Sequence, residues 1–470
     1  MPELASSTSE QIGSRFMTSG SSAGQASDSA SALQLAVATR PGGSLPARPD
    51  NGAMSADAIK PDVKQQRPAQ PAAKSVQFRP DIEGLRAVAV GLVLLFHAYR
   101  QPFSGGFVGV DVFFVISGFL ITSLLLREQT KTGRISIAGF YARRVRRILP
   151  ASTLVVVATV FATYYLLAFI AGKQAAADAK WTAIFAANIH FGLLGTDYLG
   201  SQLPPSPLQH MWSLGVEEQF YVLWPGLFLL MVLIVRGPRH RAAMAGVLGA
   251  IIATSLAWSV VETMSNATWA YFSPLTRAWE LALGALVALL APVISKLPQG
   301  FSEFIAVAGV IGIVISAVLF TQTTPYPGSA VALPVVSSAA LIAAGCISSR
   351  TIVGRALSMR PMQWVGARSY SLYLWHWPVL ILAQQYTEHD LGGWQSTALL
   401  ALAVAASALS YSFLENPVRR ARVLNSRTGL SLAMGAALIV ATILVAQWQI
   451  AEHYGSWNPF EQGTSGDVYK

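Results

Sequence analysis

From Leu85 onward the chain alternates long apolar runs with short polar or basic connections, the runs falling at about 85–101, 107–126, 151–172, 217–235, 242–261, 277–294, 302–320, 329–348, 369–386, 395–414 and 429–447. Each is close to the ~20 residues that an α-helix needs to cross ~30 Å of hydrocarbon, where a helix leaves no backbone group unpaired. The pattern predicts an all-α fold, a polytopic transmembrane helix bundle of about eleven spans. A twelfth run, 181–195, is shorter and is interrupted by Asn188, His190 and Gly192. Residues 1–77 are rich in Ser, Ala, Gly, Gln and Pro, with Phe16 as their one aromatic residue and no run long enough for a signal peptide. That composition predicts a disordered cytoplasmic tail.

Basic residues decide how the twelfth run is read. The 127–149 connection carries Arg127, Lys131, Arg134, Arg143, Arg144, Arg146 and Arg147; further basic residues fall in 236–241, in 350–368 and in 419–427. Positively charged loops favour the cytoplasmic side. All four stretches share a side only if 181–195 fails to cross. The expected topology therefore has a cytoplasmic N-terminus, with 173–216 on the outer side and 181–195 partly embedded or re-entrant. The tail 448–470 is then extracytoplasmic. The chain divides into the tail 1–77, a membrane bundle 78–420, and an additional helix with a short outer tail, 421–470.

Composition agrees with a multi-pass membrane protein, since 53% of residues are hydrophobic and 12% charged, against roughly 25% charged in soluble proteins. The mean hydropathy is +0.46. A net charge of +10 argues for a nucleic-acid partner only if it forms a patch on a soluble face. Here it lies between apolar runs, so no nucleic acid is expected. One cysteine, Cys346, excludes an internal disulfide framework and a Cys-based metal site. No P-loop, G-x-S-x-G elbow, Rossmann glycine pattern or His-rich metal motif is present, and no metal is expected.

Ionisable residues inside spans are functional candidates by default. Arg86 opens the first run and His97 follows eleven residues later, about three helical turns and ~16 Å along the same face. His97 reads either as a proton acceptor or as a packing histidine bonded to a neighbouring helix. Asp111, in the second run, either orients His97 or caps a helix start. Arg143, Arg144, Arg146 and Arg147 suit phosphate, which guanidinium forks grip in a bidentate way. Positive-inside sorting and anionic lipid headgroups favour the same cluster. His210, Trp212, Ser213, Glu217 and Glu218 form a dense polar group, although carboxylates at a boundary are ordinarily just solvated. Arg277 and Glu280, three residues apart, suit a salt bridge on one helix face. His376 lies just before the helix-kinking Pro378 and reads either as functional or as aromatic packing around the kink.

Taken together, these segments resemble the acyltransferase-3 family of integral membrane acyltransferases over roughly 78–420. Arg86 and His97 match the opening arginine–histidine signature of the family. Gly109–Phe119 matches its G-V-D-x-F-F-V-x-S-G-F pattern, and Arg144 and Arg147 match its R-x-x-R element before a proline. The W-S-L-x-x-E block begins at Trp212, the R-x-x-E-L-x-x-G element at Arg277, and the S-Y-x-x-Y-L-x-H-x-P block at Ser369. Glu415, Asn416, Pro417, Arg419 and Arg420 supply the closing E-N-P-x-R-R.

The resemblance implies an O-acetyltransferase type of enzyme. It would move an acyl group, most often acetyl, from cytoplasmic acyl-CoA (acetyl-CoA) to a hydroxyl of an extracytoplasmic glycan, lipid-linked sugar or secreted metabolite. Acyl-CoA is a donor substrate, and no permanently bound cofactor is expected. The implied catalytic positions are His97, Arg86, Glu217 and Glu218, with Arg143, Arg144 and Arg147 binding the donor. Asp111, Ser117, His210, Trp212, Ser213, Arg277, Glu280, Tyr373 and His376 would support the acceptor, with Glu217, Glu218, Arg277 and Glu280 at its outer end. Some members continue into an SGNH esterase-like domain. Here Val468 follows Gly466 and Asp467 where its serine is expected, so such a domain is read as absent from this chain, and either a separate extracytoplasmic SGNH-type protein is a partner or the bundle acts alone. The rival class is a secondary transporter of a small polar solute, disfavoured because no internal repeat is found.

Overall fold

The computed structural model describes residues 79–99, 101–167, 169–196, 204–235 and 239–454. The expected tail 1–77, most of 448–470 with Gly466–Val468, and residues 236–238 of the basic connection lie outside the described residues. All described residues fall in one compact unit, Lys74–Lys470. They form α1 (Pro80–Tyr99), α2 (Gly109–Thr132), α3 (Ile137–Leu166), α4 (Phe169–Ala183), α5 (Ala187–Leu193), α6 (Trp212–Ile234), α7 (Arg239–Ser265), α8 (Ala267–Phe272) and α9 (Pro274–Ile294). The second half of the chain adds α10 (Gly300–Leu319), α11 (Ala332–Ile347), α12 (Ile352–Leu357), α13 (Arg360–Thr387), α14 (Gly393–Ser410), α15 (Asn416–Arg420), α16 (Arg422–Ser426) and α17 (Thr428–Tyr454). No strand occurs among the described residues. The fold is an all-α helix bundle.

Nine helical stretches among the described residues are long and apolar enough to cross a membrane. The expected count of eleven adds two that fall short. Helix α11 spans 16 residues, and α13 is long but carries polar residues through its length, among them Arg360, Gln363, Arg368 and His376. The twelfth run is broken: α4 ends at Ala183, Phe185 takes a left-handed φ of 56°, and α5 has seven residues. Neither piece reaches spanning length. The backbone opened at this break is satisfied by Gln219 of α6, whose Nε2 donates to the Phe185 carbonyl at 3.0 Å and to Asn188 Oδ1 at 2.9 Å.

The third span begins earlier than its apolar run. Ser136 caps α3 by accepting from the Gly139 N–H at 3.1 Å. The basic stretch is therefore the first half of a 30-residue helix that continues through Pro150. Helix α17 packs on α3 and α4, anchored by Arg146, whose Nη1 donates to Ser431 Oγ at 2.8 Å and to the Leu424 carbonyl at 3.0 Å.

Helices α2 and α9 cross at reciprocal glycines. A Cβ on Gly118 would lie 1.8 Å from the Leu281 carbonyl oxygen, and one on Gly284 would lie 2.0 Å from that of Val115. Only glycine permits this approach, the small-residue solution to helix packing where lipid supplies no hydrophobic drive. On α1, Gly84 fits against Leu357, while Gly366 of α13 fits against the Glu83 carbonyl of α1. These contacts bring α1, α2, α3, α6 and α13 around one internal cavity.

Candidate active site

The cavity offers about 90 Å³ to the centres of water molecules, room for several waters or a small acyl group. Its polar wall is Arg86 of α1, Ser117 of α2, Arg144 and Arg147 of α3, and Glu217 with Tyr221 of α6. Phe113, Leu120 and Ile148 contribute apolar surface, and Ser213 and Tyr373 also line it.

The cations on this wall are compensated unequally. Arg144 lays its fork on α6: Nη2 and Nε donate to Glu218 Oε1 at 2.8 and 3.1 Å, and Nη2 reaches Glu217 Oε1 at 3.3 Å. The same Glu217 oxygen accepts from the Tyr221 hydroxyl at 2.5 Å and from Ser117 Oγ, while the Arg144 guanidinium stacks 3.7 Å from the centre of the Tyr221 ring. Arg86 donates to both carboxylate oxygens of Glu83 at 3.2 Å. Arg147 makes no hydrogen bond or ion pair among the described residues, although Glu415 acts on it electrostatically. Arg143 lies outside the cavity, half-exposed, and pairs with Glu128 at 2.8 Å.

The expected outer grouping of Glu217, Glu218, Arg277 and Glu280 is therefore corrected. Glu217 and Glu218 turn toward the arginines of α3, because they lie on the face of α6 that packs inward at the level of Arg144. Arg277 and Glu280 join a different cluster. Arg277 Nη1 donates to Asp111 Oδ1 at 2.8 Å and Glu280 Oε1 at 3.2 Å, and the Tyr326 hydroxyl donates to Asp111 Oδ2. Asp111 is thus committed to Arg277 and Tyr326 and does not orient His97. The rings of Trp212, Tyr271 and Tyr326 surround the guanidinium at 5.1–5.6 Å.

His97 meets α13. Its Nδ1 lies 3.1 Å from His376 Nε2, and the two rings stack with centroids 5.2 Å apart. Trp377 stands edge-on to His97 at 4.6 Å. His376 Nδ1 is 2.7 Å from the Tyr373 carbonyl and 3.2 Å from that of Leu372. Next to this pair, the Tyr373 hydroxyl is 2.7 Å from Ser213 Oγ and donates to the His210 carbonyl at 2.9 Å. Since Ser213 and Tyr373 also line the cavity, they form the wall between the arginines and the histidine pair. Arg86 and His97 share a face of α1, as their spacing implies, with the pair seated beyond that wall.

Three residues at the site were not singled out as site residues from the sequence. Tyr221 and Tyr370 line the cavity and look in sequence like ordinary aromatic packing. Glu415 lies at the end of a π-helical turn, Tyr411–Glu415, buried, and accepts from Ser371 Oγ at 2.8 Å. Arg147 and Arg86 are among the cations that act on it. Its sequence signal was the closing E-N-P motif, and π-turns concentrate at functional sites. Among the described residues no group of three or more His, Cys, Asp or Glu could hold a metal.

The chain is 34% identical over 364 residues to YrhL of Bacillus subtilis (strain 168), covering 73% of this chain and 55% of that protein. It is 30% identical over 369 residues to the peptidoglycan O-acetyltransferase OatA of Listeria monocytogenes, covering 75% and 57%. It is 32% identical over 357 residues to the O-acetyltransferase OatA of Staphylococcus aureus (strain NCTC 8325 / PS 47), covering 74% and 58%. The matched segment thus spans somewhat more than half the length of these relatives. No solved structure matches. Residues 79–414 match the family model described as an acyltransferase domain, and with most of its length inside that match the chain belongs to the acyltransferase-3 family.

Proposed function

We propose that this bundle is an O-acetyltransferase that carries an acetyl group from acetyl-CoA on the cytoplasmic side to a hydroxyl of a cell-wall glycan outside. The observation that carries the reading is the cavity wall on which Arg147, beside Arg86 and Arg144, makes no hydrogen bond or ion pair with a carboxylate among the described residues, Glu415 acting on it only from a distance. A guanidinium held out of water is costly without a counter-charge. An anionic donor such as the phosphates of CoA would supply one. Glycan as acceptor follows the name of the Listeria monocytogenes relative, a peptidoglycan O-acetyltransferase.

The orientation rests on the loop arginines, with the start of α1 at the cytoplasmic face. On the helical rise His97 then lies roughly 26 Å from Pro80, and Arg86 only about 9 Å. The donor's charged part would remain at the arginines while its thioester reaches past Tyr373 toward the histidine pair. His97 takes the proton from the acceptor hydroxyl as that oxygen attacks the acyl carbonyl carbon. The C–S bond breaks, the ester is formed, and the CoA thiolate leaves with the proton returned by His97. Glu217, Tyr221 and Ser117 hold Arg144 in place rather than touching the acceptor.

The test is transfer from labelled acetyl-CoA to peptidoglycan fragments by the purified protein in vesicles. His97→Ala is expected to lower the rate by about 10²-fold or more, the range of general-base effects. Activity within about tenfold of the parent would remove His97 from this role. No gain of one acetyl mass on any glycan with the unaltered protein would refute the glycan acceptor.

A further inference from the structure

The histidine pair carries information about where its hydrogens sit. A carbonyl oxygen only accepts, so His376 Nδ1, 2.7 Å from the Tyr373 carbonyl and 3.2 Å from that of Leu372, is the nitrogen that bears hydrogen. The ring is fully buried, and no carboxylate among the described residues contacts it, which makes the neutral imidazole the form that the site accommodates. Its Nε2 is therefore a lone pair. That lone pair faces His97 Nδ1 at 3.1 Å, so His97 donates there and keeps its own lone pair on Nε2.

The neighbouring histidine does not compete for this bond. Pro378 has no N–H to give the Leu374 carbonyl, and His210 Nε2 donates to that carbonyl instead at 3.2 Å. The His210 ring stands edge-on to His376, with centroids 5.8 Å apart.

We propose that His376 is a positioning residue that fixes His97 in the tautomer with hydrogen on Nδ1, presenting Nε2 as the reacting nitrogen. When Nε2 takes the proton of the acceptor hydroxyl, the bond from Nδ1 to His376 becomes charge-assisted and roughly twice as strong. His376 thus does with a neutral ring what a carboxylate does for the histidine of a catalytic triad: it holds the ring, selects the tautomer and steadies the imidazolium. The inference rests on the reading of His97 as the base.

Three substitutions separate this role from helix packing. The amide of His376→Gln reaches the Nε2 position and can accept from His97. That of His376→Asn mimics Nδ1 and serves only the carbonyls of α13. His376→Ala does neither. In the acetyl-CoA to peptidoglycan-fragment assay, His376→Ala and His376→Asn are expected to lower kcat at least about tenfold while KM for acetyl-CoA stays within about twofold, and His376→Gln to recover a substantial part of kcat. Equal or better recovery by Asn than by Gln overturns the proposal in favour of a packing role, and so does wild-type kcat in His376→Ala. If His97→Ala itself stays active, the reading of His97 as base fails instead. Should the variants not fold, ¹⁵N spectra of the unaltered protein labelled at histidine decide, with His97 identified by its loss in His97→Ala. Hydrogen on Nδ1 of His97 supports the proposal, and hydrogen on Nε2 alone overturns it.

Discussion

Replacing Arg277 by Met should destabilise the bundle by about 3–5 kcal/mol, the cost of stranding buried charge by removing one partner. Arg277, Asp111 and Glu280 are 1%, 1% and 0% exposed. One guanidinium nitrogen serves both carboxylates at 2.8 and 3.2 Å, each attraction worth about 5–6 kcal/mol at the effective dielectric of ~20 that suits such sites. Without the cation the two acids face each other among aromatic rings with no water to take the charge. The loss comes from stranded charge rather than lost volume. The triple variant Arg277→Met, Asp111→Asn, Glu280→Gln should therefore return to within about 1–2 kcal/mol of the parent, as whole buried ion clusters replaced by neutral groups do. SDS titration of the purified protein in micelles, followed by tryptophan fluorescence, measures both. The reasoning fails if Arg277→Met costs under about 1 kcal/mol, or if the triple variant is no more stable than the single one.

Arg147→Gln should raise KM for acetyl-CoA about tenfold or more with kcat largely kept, since it removes binding felt equally in ground and transition states, whereas Arg143→Gln should leave KM unchanged; titration of CoA against both purified variants checks this. With Cys346→Ser as background, a cysteine placed by Trp394→Cys should react with an impermeant reagent in intact cells, and one placed by His240→Cys should not. The reverse pattern would invert the orientation.

Much of the fold was legible because lipid imposes one rule: a run of about twenty apolar residues must be helical. The same periodicity placed Arg86 with His97 and Arg277 with Glu280 on shared faces, which depends only on 3.6 residues per turn. Periodicity does not say which helix a face meets. His97 and His376 are 279 residues apart in sequence, and Arg144 and Glu218 are 74 apart; their meeting depends on glycine crossings such as Gly118 on Leu281. The first half of α3 looked separate from its span because charge ends an apolar run. In the structure Ser136 caps one helix that carries both halves. Glu415 escaped for a different reason: the π-turn shifts its register within the helix, and no alternation of apolar and polar residues records such a slip.

The four adjacent arginines of α3 show why residue type alone undetermined the site. Arg143 reaches back to Glu128 at the surface, Arg144 crosses to the carboxylates of α6, and Arg146 anchors α17. Each of these bonds is between elements of the bundle, so these three cations are already spent on holding it together. Arg147 enters the cavity and finds there Arg86 and Arg144 rather than a contacting carboxylate. Positive-inside sorting explains the number of arginines but is indifferent to where each guanidinium points. An unpaired one aimed at an internal space asks for an anion, and because the α6 carboxylates already neutralise Arg144, that request falls on Arg147 with Arg86. The donor-binding reading of the R-x-x-R element thus narrows from a cluster of charge to Arg147 with Arg86 beside it, while Arg144, held by the α6 carboxylates, orients the wall rather than binding.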